Sequence, residues 1–234
     1  MASQYFSELL SVLSERAGRS AISRLGFANP ALRQHLASRF DAPIGAPGAF
    51  IGDPAFEAVF GWKKSSEIMS DLPVRGLLNE RLVEVMNKPP KELMEDYQFP
   101  KSRNPYLHQV DAWKTLTPKS RDSLVVASGT GSGKTECFLV PILNSLTKSV
   151  EDEGRALVGV RALLLYPLNA LINSQRERLE AWTAGFEGDV RFALYNGNTP
   201  ENLPAKERGK SVSEVKDRTS LRASPPPILV TNAS

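Results

Sequence analysis

The sequence predicts an α/β fold built on a parallel sheet covered by helices. Three observations predict it. Four short apolar runs read as buried strands: Ser123 to Ala127, Val160 to Tyr166, Val190 to Tyr195 and Ile228 to Thr231. Helical spacing of apolar residues fills the stretches between them, as in Lys134 to Val150 and Leu168 to Trp182. A glycine-rich turn, SGTGSGKT from Ser128 to Thr135, joins the first run to the first of these helices. Strands apolar on both faces that alternate with helices need a parallel sheet, because antiparallel sheets tend to alternate apolar and polar residues.

The elements follow in order. Residues 1–40 read as helices, with Tyr5, Phe6, Leu9, Leu10 and Leu13 at helical spacing, a stop at Gly26, and a cap-and-proline restart at Asn29-Pro30. DAPIGAPGAFIGD, 41–53, is a loop, and Asp53-Pro54 opens a short helix through Phe60. Leu77 to Met86 is a helix closed by Pro89-Pro90, followed by a turn or two in KELMEDY. Asn104-Pro105 opens a helix across YLHQVDAWKTL. Pro141 inside the helix after the glycine-rich turn predicts a bend. The polar, charged stretch 199–226, ending in PPP, reads as a long surface loop with a little helix. A helical extension over 1–96 and a sheet domain over 97–234 is the predicted organisation.

Composition bounds the function classes. The 29 Lys and Arg against 26 Asp and Glu leave a charge of +3, which permits a nucleic-acid partner without arguing for one. One cysteine, Cys137, excludes an internal disulfide, and two histidines, His35 and His108, are too few for a His/Cys zinc site. Cys137 reads as a small buried filler. The N-terminus lacks the pattern of a secretory signal and no apolar run is long enough to span a bilayer, so a cytoplasmic location without a membrane is expected.

The glycine-rich turn carries the chemistry. It matches the end of the G-x-x-x-x-G-K-[ST] phosphate loop at Gly133, Lys134 and Thr135, with Ser128 in place of the first glycine. Gly129 and Gly131 are expected to supply positive φ. Backbone N–H groups from Gly131 to Thr135 would wrap a β-phosphate at the positive end of the following helix. Lys134 would reach the β- and γ-phosphates, and the Thr135 hydroxyl would hold Mg²⁺.

Around this loop the chain resembles the first RecA-like domain of a superfamily 2 DEAD/DEAH-type helicase, over roughly 97–234. RNPYLHQVDAW, from Arg103 to Trp113, resembles the Q motif. That resemblance implies that Gln109 reads adenine and that an aromatic stacks on it, with Tyr106 preferred over Phe99. His108 beside it reads as structural. ASGTGSGKTE, from Ala127 to Glu136, resembles motif I, which implies a nucleotide site of Ser128, Gly129, Thr130, Gly131, Ser132, Gly133, Lys134, Thr135 and Glu136. LLLYPLNALINSQRERL resembles motif Ia, with Pro167, Leu168, Asn169 and Ala170 at a nucleic-acid backbone and Gln175 adding a hydrogen bond. Arg176 and Arg178 read as solvent-facing. LYNGNTP resembles the turn between motifs Ia and Ib, implying contacts from Gly197 and Thr199. ILVTNAS resembles motif Ib, implying contacts from Thr231 and Asn232.

Within the superfamily, YxHQ, YPLNALINSQ, YNGNTP and the N-terminal FEAVFGW look most like large bacterial helicases with a DUF1998 region, similar to Lhr-type and phage-defence (DISARM- and Druantia-type) helicases. That likeness implies ATP and Mg²⁺ as cofactors, single-stranded or duplex DNA bound without sequence preference, defence-system proteins as further partners, and an antiviral role. The motif II carboxylate pair does not follow the motif Ib-like strand. The chain is therefore expected to be the front portion of such a helicase, truncated there and slow in hydrolysis alone. The competing expectation is a nucleotide-binding or partner-docking module without motor activity.

Overall fold

The computed structural model describes residues 2–53, 61–116, 122–208 and 211–232. The chain divides into two compact units, 1–60 and 61–234. In the first, α1 (Ala2–Leu25) and α2 (Pro30–Phe40) are joined through Gly26, whose φ of +63° ends α1. The Asn29 side-chain oxygen accepts from the backbone N–H groups of Ala31 and Leu32 at 2.9 and 3.3 Å, so the predicted cap forms. The Phe40 and Phe50 rings pack with centroids 4.3 Å apart. The short helix expected over 54–60 lies outside the described residues.

The second unit carries the sheet. Its helices before the sheet are α3 (Asp71–Val74), α4 (Glu80–Asn87), α5 (Met94–Tyr97), α6 (Leu107–Thr115) and α7 (Lys134–Glu153). Then come β1 (Ala162–Leu165), α8 (Asn169–Ser174), α9 (Arg176–Thr183), β2 (Phe192–Tyr195), α10 (Ala205–Arg208), α11 (Arg218–Ala223) and β3 (Ile228–Thr231). The strand order is β1-β3-β2, all parallel, with Ala162 and Phe192 both opposite Ile228. This is the parallel α/β arrangement of a RecA-like domain. Central β3 buries Ile228 and Val230 completely, and α7 covers the core with Leu139, Val140, Leu143 and Leu146. Helix α4 adds Leu82, Val83 and Met86 to the same core, so the residues just after 61 pack as part of the sheet's own unit.

Several local expectations need correction. Residues 123–127 pair with no strand among the described residues, and Val125 is 92% exposed. An apolar run becomes a strand only where a neighbour takes its N–H and C=O groups, and among the described residues no strand pairs with this one. Helix α6 starts at Leu107, two residues after Pro105. Backbone bonds from Ser65 to Pro105 and from Leu107 to Lys63 hold 105–106 extended, and the Tyr106 N–H donates to Gln109 Oε1 at 2.9 Å. Helix α7 keeps Pro141 inside it, as expected, and extends to Glu153, past the expected end near Val150. The single helix expected over 168–182 is two, because the Gln175 N–H bonds three residues back to Ile172 and tightens the turn.

The 199–226 stretch is more than a surface loop. Phe192 N–H donates to Ser213, Val215 N–H donates to Phe192, and the buried Asp217 carboxylate caps α11 through Ser220. No helix among the described residues is long and apolar enough to cross a membrane.

Candidate functional site

The turn from Ser128 to Gly133 delivers α7, whose first residue is Lys134. Positive φ falls at Gly131 (+78°) and Gly133 (+77°), so the left-handed pair is 131 and 133 in place of the expected 129 and 131. At Gly133 the reason is also steric: a Cβ there would sit 2.2 Å from Gln109 Nε2. The turn is braced from within and from α6. Ser128 and Ser132 hydroxyls meet at 2.5 Å, and Lys134 Nζ donates to the Ser128 and Gly129 carbonyls at 2.7 and 2.8 Å. His108 Nε2 meets the Ser132 carbonyl at 2.9 Å, Gln109 Nε2 donates to Gly133 O at 3.2 Å, and Trp113 Nε1 donates to Glu136 O at 2.9 Å. One face of α6 therefore fixes the loop, and His108 has the structural part expected of it.

The loop opens into a cleft of about 580 Å³, walled by residues 130–136, Phe99, Tyr106, Gln109, Gln175 and Arg178. A cavity of that size takes a cofactor-sized ligand. Gln109 is 3% exposed, and its bonds to Tyr106 and Gly133 leave one N–H and one lone pair for another partner. Tyr106 lies parallel to His108 (centroids 5.7 Å, planes 12° apart), with Trp62 at 5.8 Å, while Phe99 is buried against Trp182 with Arg103 over its ring. Thr135 lies in the cleft wall beside Lys134, and its hydroxyl is the oxygen it can offer. A hard oxygen donor of this kind fits Mg²⁺ whose other ligands are phosphate oxygens and water. Among the described residues there is no cluster of His, Cys, Asp and Glu that would hold a metal by itself. Cys137 is fully buried and its thiol is pushed up to about 11 by burial, so it is inert filler as expected.

The other expected residues lie at strand ends. Pro167, Leu168, Asn169 and Ala170 are exposed after β1, Gly197 and Thr199 follow β2, and Thr231 and Asn232 close β3. Parallel strands put all three turns on one sheet edge, the edge where open α/β sheets bind ligands. Two of the turns are tied together: Asn232 Nδ2 donates to Asn169 Oδ1 at 2.8 Å, and Tyr166 N–H donates to Thr231 O at 2.9 Å. The third holds itself, with Thr199 Oγ1 donating to Leu194 O and accepting from Asn196 N–H. Gln175 sits instead in the cleft wall, its Oε1 accepting from Arg178 Nη1 at 3.3 Å.

Of the two arginines expected to face solvent, Arg176 is exposed as expected, and both have partners. Arg176 Nε donates to the buried Glu214 at 3.0 Å. Arg178 lines the cleft. Gln175, Arg178, Leu179 and Trp182 fall at i, i+3, i+4 and i+7, and that spacing was the signal available in the sequence.

A family model for DEAD/DEAH box helicases matches residues 106–224, from the Tyr106 cap through the loop, the cleft and the first two strand-end turns. The chain belongs to the DEAD/DEAH box helicase family. Within it, the helicase chain is 40% identical over 110 residues to Druantia protein DruE of Escherichia coli (strain UMEA 4076-1), covering 42% of this chain and 6% of that one. It is 31% identical over 103 residues to the uncharacterized ATP-dependent helicase YprA of Bacillus subtilis (strain 168), covering 44% of this chain and 12% of that one. Among solved structures it is similar to the DUF1998 helicase MrfA bound to DNA and AMPPNP, at 24% identity and a TM-score of 0.44 over 73% of this chain and 18% of that one. This helicase chain thus spans a small part of the length of the relatives it matches.

Proposed function

We propose that this chain is the nucleotide-binding front portion of an ATP-dependent DNA helicase or translocase with a part in antiviral defence. The observation that carries the reading is the juxtaposition of a braced phosphate loop, opening into a nucleotide-sized cleft, with three strand-end turns on one sheet edge. Lys134 and the α7 N-terminus hold the phosphates, Thr135 holds Mg²⁺, and Gln109 with Tyr106 takes adenine. Pro167 to Ala170, Gly197, Thr199, Thr231 and Asn232 offer N–H groups and small polar side chains to backbone phosphates. Similarity to a Druantia protein supports the defence role, and DNA as the nucleic acid follows the resemblance of the sequence motifs.

Fluorescence anisotropy with two unrelated single-stranded DNAs and one single-stranded RNA, at low and physiological salt, tests the nucleic-acid half of this reading. The expected result is equal binding of both DNAs and a steep loss of affinity with salt, because phosphate contacts carry no base identity and release counterions. Preference for one DNA sequence, or for RNA, contradicts it.

A further inference from the structure

A second recess, of about 310 Å³, opens beside the turn that follows β2. Its walls come from three segments. Asn173 and Arg176 lie at the junction of α8 and α9, Asn196 and Thr199 lie in the turn, and Glu214 and Lys216 come from the segment that runs beside β2. The Glu214 side chain is 6% exposed and holds a cation at each carboxylate oxygen. Arg176 Nε donates to Oε1 at 3.0 Å, and Lys216 Nζ is 3.6 Å from Oε2, an ion pair without a hydrogen bond. Among the described residues Arg176 spends only Nε in this way. Its Nη1 and Nη2 donors remain for a ligand, on a side chain that is half exposed.

Two cations against one carboxylate leave the recess with surplus positive charge, and a concave wall strengthens its pull on an anion. Asn173 and Asn196 add amides to that wall. Asn196 Oδ1 already accepts from the Asn198 N–H at 2.9 Å, which leaves Nδ2 as the end that can still bond. A wall of cationic and amide donors fits an acceptor-rich anion such as a phosphodiester. Thr199 belongs to a strand-end turn of the sheet edge read as the nucleic-acid interface, and Asn173 is on the helix that leaves the turn after β1. The recess therefore lies along that edge. The Thr199 hydroxyl is spent on Leu194 O and the Asn196 N–H, and Arg218 Nε fixes the turn by donating to Thr199 O at 2.9 Å. The turn shapes the recess, while Arg176 and Lys216 supply its charge.

We propose that this recess is a backbone-phosphate site, in which Arg176 and Lys216 bind a phosphodiester of the nucleic acid and Glu214 holds both cations in place. The proposal rests on the nucleic-acid reading of the sheet edge. It adds charged side chains to an interface otherwise made of turn N–H groups and small polar side chains, and the contact is blind to base identity.

Fluorescence anisotropy with two unrelated single-stranded DNAs over a salt series tests it. For Arg176→Ala the expected result is roughly tenfold weaker binding of both DNAs at low salt, the size of one charge-assisted hydrogen bond. The slope of log affinity against log salt should fall by about 0.7, the share of one phosphate contact on a single strand. Lys216→Ala should shift affinity and slope in the same direction. Glu214→Gln keeps the size of the side chain and removes the charge that offsets the two cations, so it should tighten binding severalfold. Lower melting temperatures with an unchanged slope, and no gain from Glu214→Gln, mean a cluster that only holds the fold and overturn the assignment. Calorimetry with inorganic phosphate separates a free anion from the nucleic acid. Saturable phosphate binding that Arg176→Ala abolishes, with DNA affinity unchanged, also overturns it. If the unaltered chain binds neither DNA, the nucleic-acid reading of the edge fails and the proposal falls with it. If it binds both and the variants match it in affinity and slope, the proposal alone fails.

Discussion

Lys134→Ala lowers MgATP affinity roughly a hundredfold, the loss of about 3 kcal/mol of charge-assisted hydrogen bonding to phosphate oxygens. The ammonium is the cation at the N-terminus of α7. Without a ligand it rests on the Ser128 and Gly129 carbonyls, so it is already folded back over the space that the phosphates would enter. Exchange of those two carbonyls for phosphate oxygens needs little movement. Alanine removes both the charge and the reach, while α7 loses little because alanine is the best helix former. Calorimetry gives the affinity and a melting curve gives the fold. Unchanged affinity with an unchanged melting temperature contradicts the place given to Lys134. This substitution weakens inorganic tripolyphosphate as much as ATP.

Trp182→Ala costs about 3–5 kcal/mol of stability, the range for removing a large buried aromatic. The indole is 2% exposed and meets the Phe99 ring edge-on at 6.4 Å. Its Nε1 donates to the Tyr97 carbonyl at 2.9 Å. It joins α9 to the chain that leads into α6, so its loss also loosens the cleft wall that carries Tyr97 and Phe99. Trp182→Phe keeps a ring and drops the N–H, leaving a carbonyl unpaired for about 1–3 kcal/mol. Urea unfolding of the two variants separates packing from hydrogen bonding. A loss below about 1 kcal/mol for the alanine variant contradicts the packing described here.

Locally encoded features were legible in the sequence. The phosphate loop is a contiguous string whose backbone geometry its own glycines set. The Asn29 cap needs only its next three residues, and β1, β2 and β3 are apolar runs that the structure pairs in parallel. Features that depend on distant partners were not. SLVVA has strand composition, but a strand also needs a neighbour, and Val125 lies exposed. The charged 211–217 segment looks like solvent-facing loop until Ser213 and Val215 meet Phe192.

The glycine positions show the same limit within the loop. Three glycines permit positive φ, Gly131 and Gly133 adopt it, and the approach of Gln109 from α6 leaves no room for a Cβ at Gly133. Arg178 was half legible. Its spacing with Leu179 and Trp182 places it on the inward face, whereas its residue type pointed to solvent. Type misleads where a cleft and its walls draw a charged side chain inward.

The central claim is that a purine nucleotide seats with its phosphates in the loop and its base against Gln109. Titration of the chain with MgATP and MgGTP, with Gln109→Ala in parallel, tests it most directly. The account predicts saturable one-to-one binding, tighter for ATP than for GTP, because the amide left free on Gln109 offers both a donor and an acceptor to the adenine edge. In Gln109→Ala the difference between the two nucleotides shrinks. Absence of saturable binding, or equal affinities for ATP and GTP in the unaltered chain, contradicts it.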